Sequence, residues 1–143
     1  MHICAASTEG VHCKASDTAV MMAWLAWLFP NLEHDLEWPL SALKDIVQHA
    51  ETCIGTMMRS GRYFTHSEWV ETVSSGHLLV KQWVRLAKQG VDMSLPFLAK
   101  VRPKVHALQR MVQFLELSES LENPGYYSCW MDEDRALHSK PVA

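Results

Sequence analysis

The sequence predicts an all-α fold, an orthogonal or up-down bundle of four main helices with a short fifth helix at the C-terminal end. Three observations carry this. Apolar side chains recur at steps of three and four in four separate segments. Pro, Gly and cap-forming residues punctuate those segments where helices start and stop. Period-2 alternation is almost absent, so there is little to build strands from. A chain of 143 residues is long enough to bury a core. Residues 1–15 read as a loose N-terminal segment and residues 16–140 as a single helical domain.

The first helix is expected to be capped by Ser16, to start at Asp17 and to stop at Pro30. Val20, Met21, Trp24, Leu25, Trp27 and Leu28 wrap most of its cylinder. Such a helix is either central or buries its far side against something outside this chain. Pro39 suits the first turn of a second helix. Its seam is Leu40, Leu43, Val47, Ala50, Ile54 and Met57, flanked by a buried Cys53. Ser60-Gly61 ends it, with Arg59 and Arg62 opposing the negative end of its dipole. The four-residue link that follows favours an antiparallel pair.

Thr65-His66-Ser67-Glu68 is a capping box. The helix it opens is expected to run to Gln89 and stop at Gly90, with Trp69, Val73, Gly76, Val80, Trp83 and Ala87 as its stripe. Ser74-Ser75-Gly76 marks either the close approach of another helix or a kink. His77 beside it reads as a structural or surface residue rather than a ligand. After a connector over 91–102, Pro103 opens the fourth helix, whose inward face is Val105, Leu108, Met111, Val112 and Leu115 and whose tail carries Glu116, Glu119 and Glu122. Asn123-Pro124-Gly125 is a turn. Residues 126–130 read as a short strand-like or extended segment, and 132–134 as the start of the last helix.

Composition limits the function. Apolar residues make up 48% and charged residues 20%, which excludes global disorder. The net charge of -3 gives no whole-chain electrostatic case for nucleic acid or anionic membrane. Six Trp and eight Met point to a core of bulky, adaptable side chains or to a hydrophobic groove. The longest apolar run, 19–29, is too short to span a bilayer, and the first residues do not resemble a secretory signal. An intracellular protein, nuclear or cytoplasmic, is expected, with no membrane partner. Cys4, Cys13, Cys53 and Cys129 form no disulfide framework, and the spacing of His2, Cys4, His12 and Cys13 fits no standard zinc site.

Chemistry concentrates in two places. Lys81, Arg85, Lys88, Lys100, Arg102, Lys104 and Arg110 make the stretch 81–110 basic, with Asp92 its only acid. This is either a solvated helix face or a surface for nucleic-acid phosphates. Asp132-Glu133-Asp134 either satisfies a helix N-terminus or offers carboxylate ligands for Mg²⁺ or Mn²⁺.

Gly76-x-x-Leu79, Trp83, Leu86-Ala87, Arg102-Pro103-Lys104-x-His106-x-Leu108, Asn123-Pro124 and Trp130-Met131-Asp132-Glu133-Asp134, taken together, resemble the C-terminal helical block of mobile-element proteins of marine protists. The layout is similar to the end of cut-and-paste transposases with a ribonuclease-H-like core. It covers about residues 70–135, and loosely the first helix. The resemblance implies Glu133 or Asp132 as the last catalytic carboxylate, with His106 nearby, and a larger transposase-like partner. Yet no strand-borne Asp pair lies upstream, Arg110 stands where similar proteins often carry a second His, and the end at Pro141-Val142-Ala143 reads as a truncated or decayed copy. These three residues are therefore read as vestigial. The chain is expected to have no cofactor of its own, Mg²⁺ entering only if another chain completes the site. Two functions follow: a mobile-element-derived domain that contacts DNA or a partner subunit without being a competent enzyme alone, or a helical interaction or homo-oligomerisation module with no nucleic-acid role.

Overall fold

A computed structural model of the chain describes residues 5–7, 10–12, 15–32, 35–95 and 103–127. Four α-helices make the fold: α1 (Ala15–Leu28), α2 (Leu40–Arg59), α3 (His66–Asp92) and α4 (Pro103–Ser118). The class is all-α, as the sequence predicts. The segment read as loose carries a small antiparallel hairpin, β1 (Ala5–Ser7) with β2 (Gly10–His12). A 3₁₀ turn over Phe29–Asn31 contains Pro30 and closes α1. The expected short helix beyond residue 130 lies outside the described residues.

α2 and α3 form the antiparallel pair that the short link predicts. Trp38 meets Gln89 near one end of the pair and Thr56 meets Glu71 near the other. α4 lies against α3, also antiparallel: Trp69 Nε1 donates to the Leu115 carbonyl at 3.3 Å, while Gly76 faces Val112. α1 packs on α2, where Gln48 Nε2 donates to the Ala26 carbonyl at 2.8 Å.

Two apolar clusters fill the space between helices. Cys53, Met57, Phe64, Val73, Val112 and Leu115 join α2, α3 and α4. Ile46, Ala50, Leu79 and Leu86 form the second, with Met22 of α1 against it. Most seam positions read from the sequence are here, but Leu40 is about half exposed, because the packed face of α2 begins at Ala42 and Leu43. Gly76 marks a close approach rather than a kink. A Cβ there would stand 2.5 Å from a methyl of Val112 and 3.4 Å from Cys53 Sγ, so only Gly lets α4 come this near.

The Thr65–Glu68 capping box is present in both directions. Thr65 Oγ1 accepts from the Glu68 amide and the Glu68 carboxylate accepts from the Thr65 amide at 2.7 Å. The Thr65 amide first, then the Ser60 and Thr65 hydroxyls, hold the Glu68 carboxyl below its ordinary pKa. At the other end α3 overruns the expected stop. Gly90 is buried inside the helix, and the turn falls on Ser94, at φ 57°. The Leu95 amide bonds the Gly90 carbonyl and the Ser94 amide the Val91 carbonyl, a Schellman closure with Ser in the left-handed position where Gly is usual.

α4 also ends sooner than its acidic pattern indicates. Ser118 Oγ bonds back to the Phe114 carbonyl and Glu119 takes φ 49°, so the chain leaves the helix. Glu122, read as part of that helix, instead forms an antiparallel bridge with Tyr63. Residues 126–127, read as strand-like, belong to a 3₁₀ turn over Pro124–Tyr127.

Asn123 ties this exit to the rest. Its side chain is fully buried. Nδ2 donates to the Met57 carbonyl in the last turn of α2 at 2.7 Å and to the Gly61 carbonyl just past the helix at 3.0 Å. Oδ1 accepts from the Gly125 amide at 2.9 Å, capping the 3₁₀ turn. Gly125 sits so close to Met57 that a Cβ would come 3.0 Å from the Met57 Cβ. Asn123→Ala leaves buried carbonyls unpaired and is expected to cost about 2 kcal/mol or more by urea unfolding. Asn123→Asp, nearly identical in shape, should cost more, because a carboxylate faces carbonyl oxygens to which it cannot donate.

Candidate functional site

Helix geometry sorts the basic residues. Lys81, Arg85 and Lys88 recur at i, i+4 and i+7 on α3 and are exposed. They make a ridge roughly 10 Å long, at 1.5 Å rise per residue. Lys104 and Arg110 are exposed on α4, but six residues apart, so they point to different sides of that helix. Lys100 and Arg102 lie outside the described residues. The structure therefore gathers the α3 cations and separates those of α4.

His106 is exposed on α4. Asp132 and Glu133 lie outside the described residues, as does Asp134. Among the described residues no group of three or more His, Cys, Asp or Glu side chains could hold a metal ion. Of the N-terminal His and Cys set, only the backbone of His12 is described. No helix among the described residues is long and apolar enough to cross a membrane.

Arg85 also borders a depression of about 160 Å³ between the start of α2 and the second half of α3. Trp38, Ser41, Ala42 and Asp45 line one side, and Gln82, Leu86 and Gln89 the other. Trp38 Nε1 donates to Gln89 Oε1 at 2.9 Å and closes its floor. Asp45 tempers the positive charge at this end of the ridge. Farther along α3, His77 meets Glu116 of α4 at 2.8 Å, a half-exposed pair between the two helices that contributes little to stability.

The other conspicuous surface is apolar. Val20, Trp24 and Trp27 are 66%, 54% and 64% exposed. They too recur at i, i+4 and i+7, and Ala23 between them is exposed. From residue 20 onward no side chain of α1 is fully buried, although the helix is apolar all round. Helices of that kind are normally enclosed. The sequence signals an unpartnered side but cannot say which residues face it, because a helix without a polar face has no orientation readable from its pattern.

Comparison with protein-family models, curated proteins and solved structures gives no match to this chain. The transposase-like resemblance thus rests on its motifs alone.

Cys53 is the one free thiol among the described residues, and its surroundings decide against nucleophilic chemistry. Burial pushes its pKa up to about 11, against the opposing effect of the Ser75 hydroxyl. The folded state therefore favours the neutral thiol. That contribution to stability is complete below the ordinary thiol pKa of 9.0 and declines as pH rises toward 11. Cys53 should resist iodoacetamide at pH 8 in the folded protein and react once urea unfolds it, as peptide mapping would read out.

Proposed function

We propose that this chain is a helical interaction module that engages another protein surface through the outward face of α1. The observation that carries the reading is the exposed row of Val20, Trp24 and Trp27 on a helix with no charged side chain over residues 18–32. Leaving two Trp side chains more than half in water forgoes stabilisation of roughly 1–2 kcal/mol each at about 25 cal/mol per Å². Contiguous apolar surface of this kind marks an interface more often than it marks nothing. The α2–α3–α4 core then serves as a rigid mount for that face.

Trp24→Glu/Trp27→Glu should retain the helical circular-dichroism spectrum, because both side chains point away from the core. In dilute protein it should lose most of the binding of an anilinonaphthalene sulfonate dye that the native chain shows. Equal dye binding by both proteins would remove the α1 face from consideration.

The exposed Lys81, Arg85 and Lys88 favour a second reading: a mobile-element-derived, transposase-like domain that contacts DNA backbone, with catalysis belonging to a larger partner. It assigns Mg²⁺ no place in this chain by itself. Three phosphate contacts give a slope of about -2 to -3 for log affinity against log salt. Filter binding to duplex DNA between low and moderate salt should show that slope, and Lys81→Ala/Arg85→Ala/Lys88→Ala should abolish it. Salt-insensitive binding, or none at low salt, would exclude the ridge.

A further inference from the structure

We infer that the depression between the start of α2 and the second half of α3 is a binding site for a small zwitterion of the α-amino-acid type. The site lies apart from the outward face of α1 and does not depend on it. Four polar side chains border it: Ser41 and Asp45 from α2, Gln82 and Arg85 from α3. Among the described residues, none of these four side chains has a hydrogen-bond or ion-pair partner. Gln89 adds its amide nitrogen, because its oxygen already accepts from Trp38 Nε1 at 2.9 Å. That bond holds both side chains in place. Donors and acceptors left open around one concavity are the groups that orient a small polar ligand.

The placement of the two charges selects the ligand. The register that joins Trp38 to Gln89 and Thr56 to Glu71 sets Ala42 level with Arg85 and Asp45 level with Gln82. The guanidinium and the carboxylate therefore stand on opposite walls, offset by about 4.5 Å along the helices, and do not pair with each other. A simple anion drawn to Arg85 meets the Asp45 carboxylate, and a simple cation drawn to Asp45 meets Arg85. A molecule carrying a carboxylate and an ammonium group a few bonds apart satisfies both. Arg85 donates two N–H groups to the carboxylate, Ser41 donates its hydroxyl beside them, and Asp45 accepts from the ammonium. Size narrows the class further. The depression holds about 160 Å³. A cavity of about 150 Å³ takes benzene, whereas sites for drug-sized ligands begin near about 300 Å³. An amino acid fits and a nucleotide does not. Ala42 and Leu86 offer its side chain apolar contact. Asp45 and Arg85 are exposed, so water competes for them. Binding is accordingly weak, with a dissociation constant on the order of 1 mM.

Titration of the full, nitrogen-labelled chain with L-alanine, followed by heteronuclear NMR, tests this. The Trp38 indole resonance and those of Ser41, Gln82 and Gln89 should shift together and saturate. Propionate lacks the ammonium group and ethylamine lacks the carboxylate. Each should bind roughly tenfold or more weakly than alanine. Asp45→Asn and Arg85→Gln should each weaken alanine binding by roughly the same factor. Both should keep the helical circular-dichroism spectrum, since neither side chain is buried or paired. Asp45→Asn also leaves the ridge of Lys81, Arg85 and Lys88 intact, so its effect belongs to the depression and not to a DNA surface. L-leucine serves as a second probe, with a longer side chain that can leave through the open side. If neither amino acid produces saturable shifts up to about 50 mM, the proposal is overturned. It is equally overturned if propionate binds as well as alanine, which would mean an adventitious anion at Arg85, or if Asp45→Asn binds alanine as well as the native chain does.

Discussion

The arrangement of α2, α3 and α4 depends on the amide of Asn123. One buried side chain completes the end of α2 and caps the turn that follows α4, using its donors for the first task and its acceptor for the second. Main-chain bonds on either side, from the Asn123 amide to the Arg62 carbonyl and from the Phe64 amide to the Leu121 carbonyl, keep the two strands of chain in register. The exit from α4 is thereby fixed to the α2–α3 corner. With that end anchored, α4 can lie close enough on α3 for Val112 to meet Gly76, and the cluster around Cys53 closes. An apolar residue could fill the volume at position 123, but it would take this donor from the Met57 carbonyl in the last turn of α2 and from the Gly61 carbonyl beyond it.

Much of this fold is written locally. Pro39, the Thr65–Glu68 box and Pro103 each mark a helix start by the geometry of one or two residues, and the stripes of α2, α3 and α4 identify most of the buried side chains. What local reading misses has a common cause. Gly90 looks like a helix stop because Gly tolerates left-handed backbone, yet the Schellman turn settles on Ser94 and Gly90 becomes an interior contact. Glu122 looks helical by spacing, yet its bridge to Tyr63 comes from a segment nearly sixty residues earlier. Asn123 reads as a turn former, which it is. Its greater role depends on a helix end that is distant in sequence. Non-local hydrogen bonds leave no periodic trace.

The candidate surfaces divide in the same way. The ridge of Lys81, Arg85 and Lys88 could be read directly, because cations at i, i+4 and i+7 share a side of any helix. Whether Lys104 and Arg110 join it depends on how α4 is rotated, which no single-helix pattern supplies. For α1 the pattern gives apolarity without direction. Only the position of α2 shows that Val20, Trp24 and Trp27 are the side left bare.

The way α1 is attached has a consequence for how the molecule opens. α2, α3 and α4 share a core and are stapled through Asn123, whereas α1 is anchored mainly on α2, through Met22 and the Gln48–Ala26 bond. Cooperative units in proteins follow such divisions of contact. The amide protons of α1 are then expected to exchange ahead of those of the other helices. Whatever occupies its outer face binds the attached form alone, and by mass action draws the detached population back. Anything that bound that face would thus shift the balance toward the four-helix form.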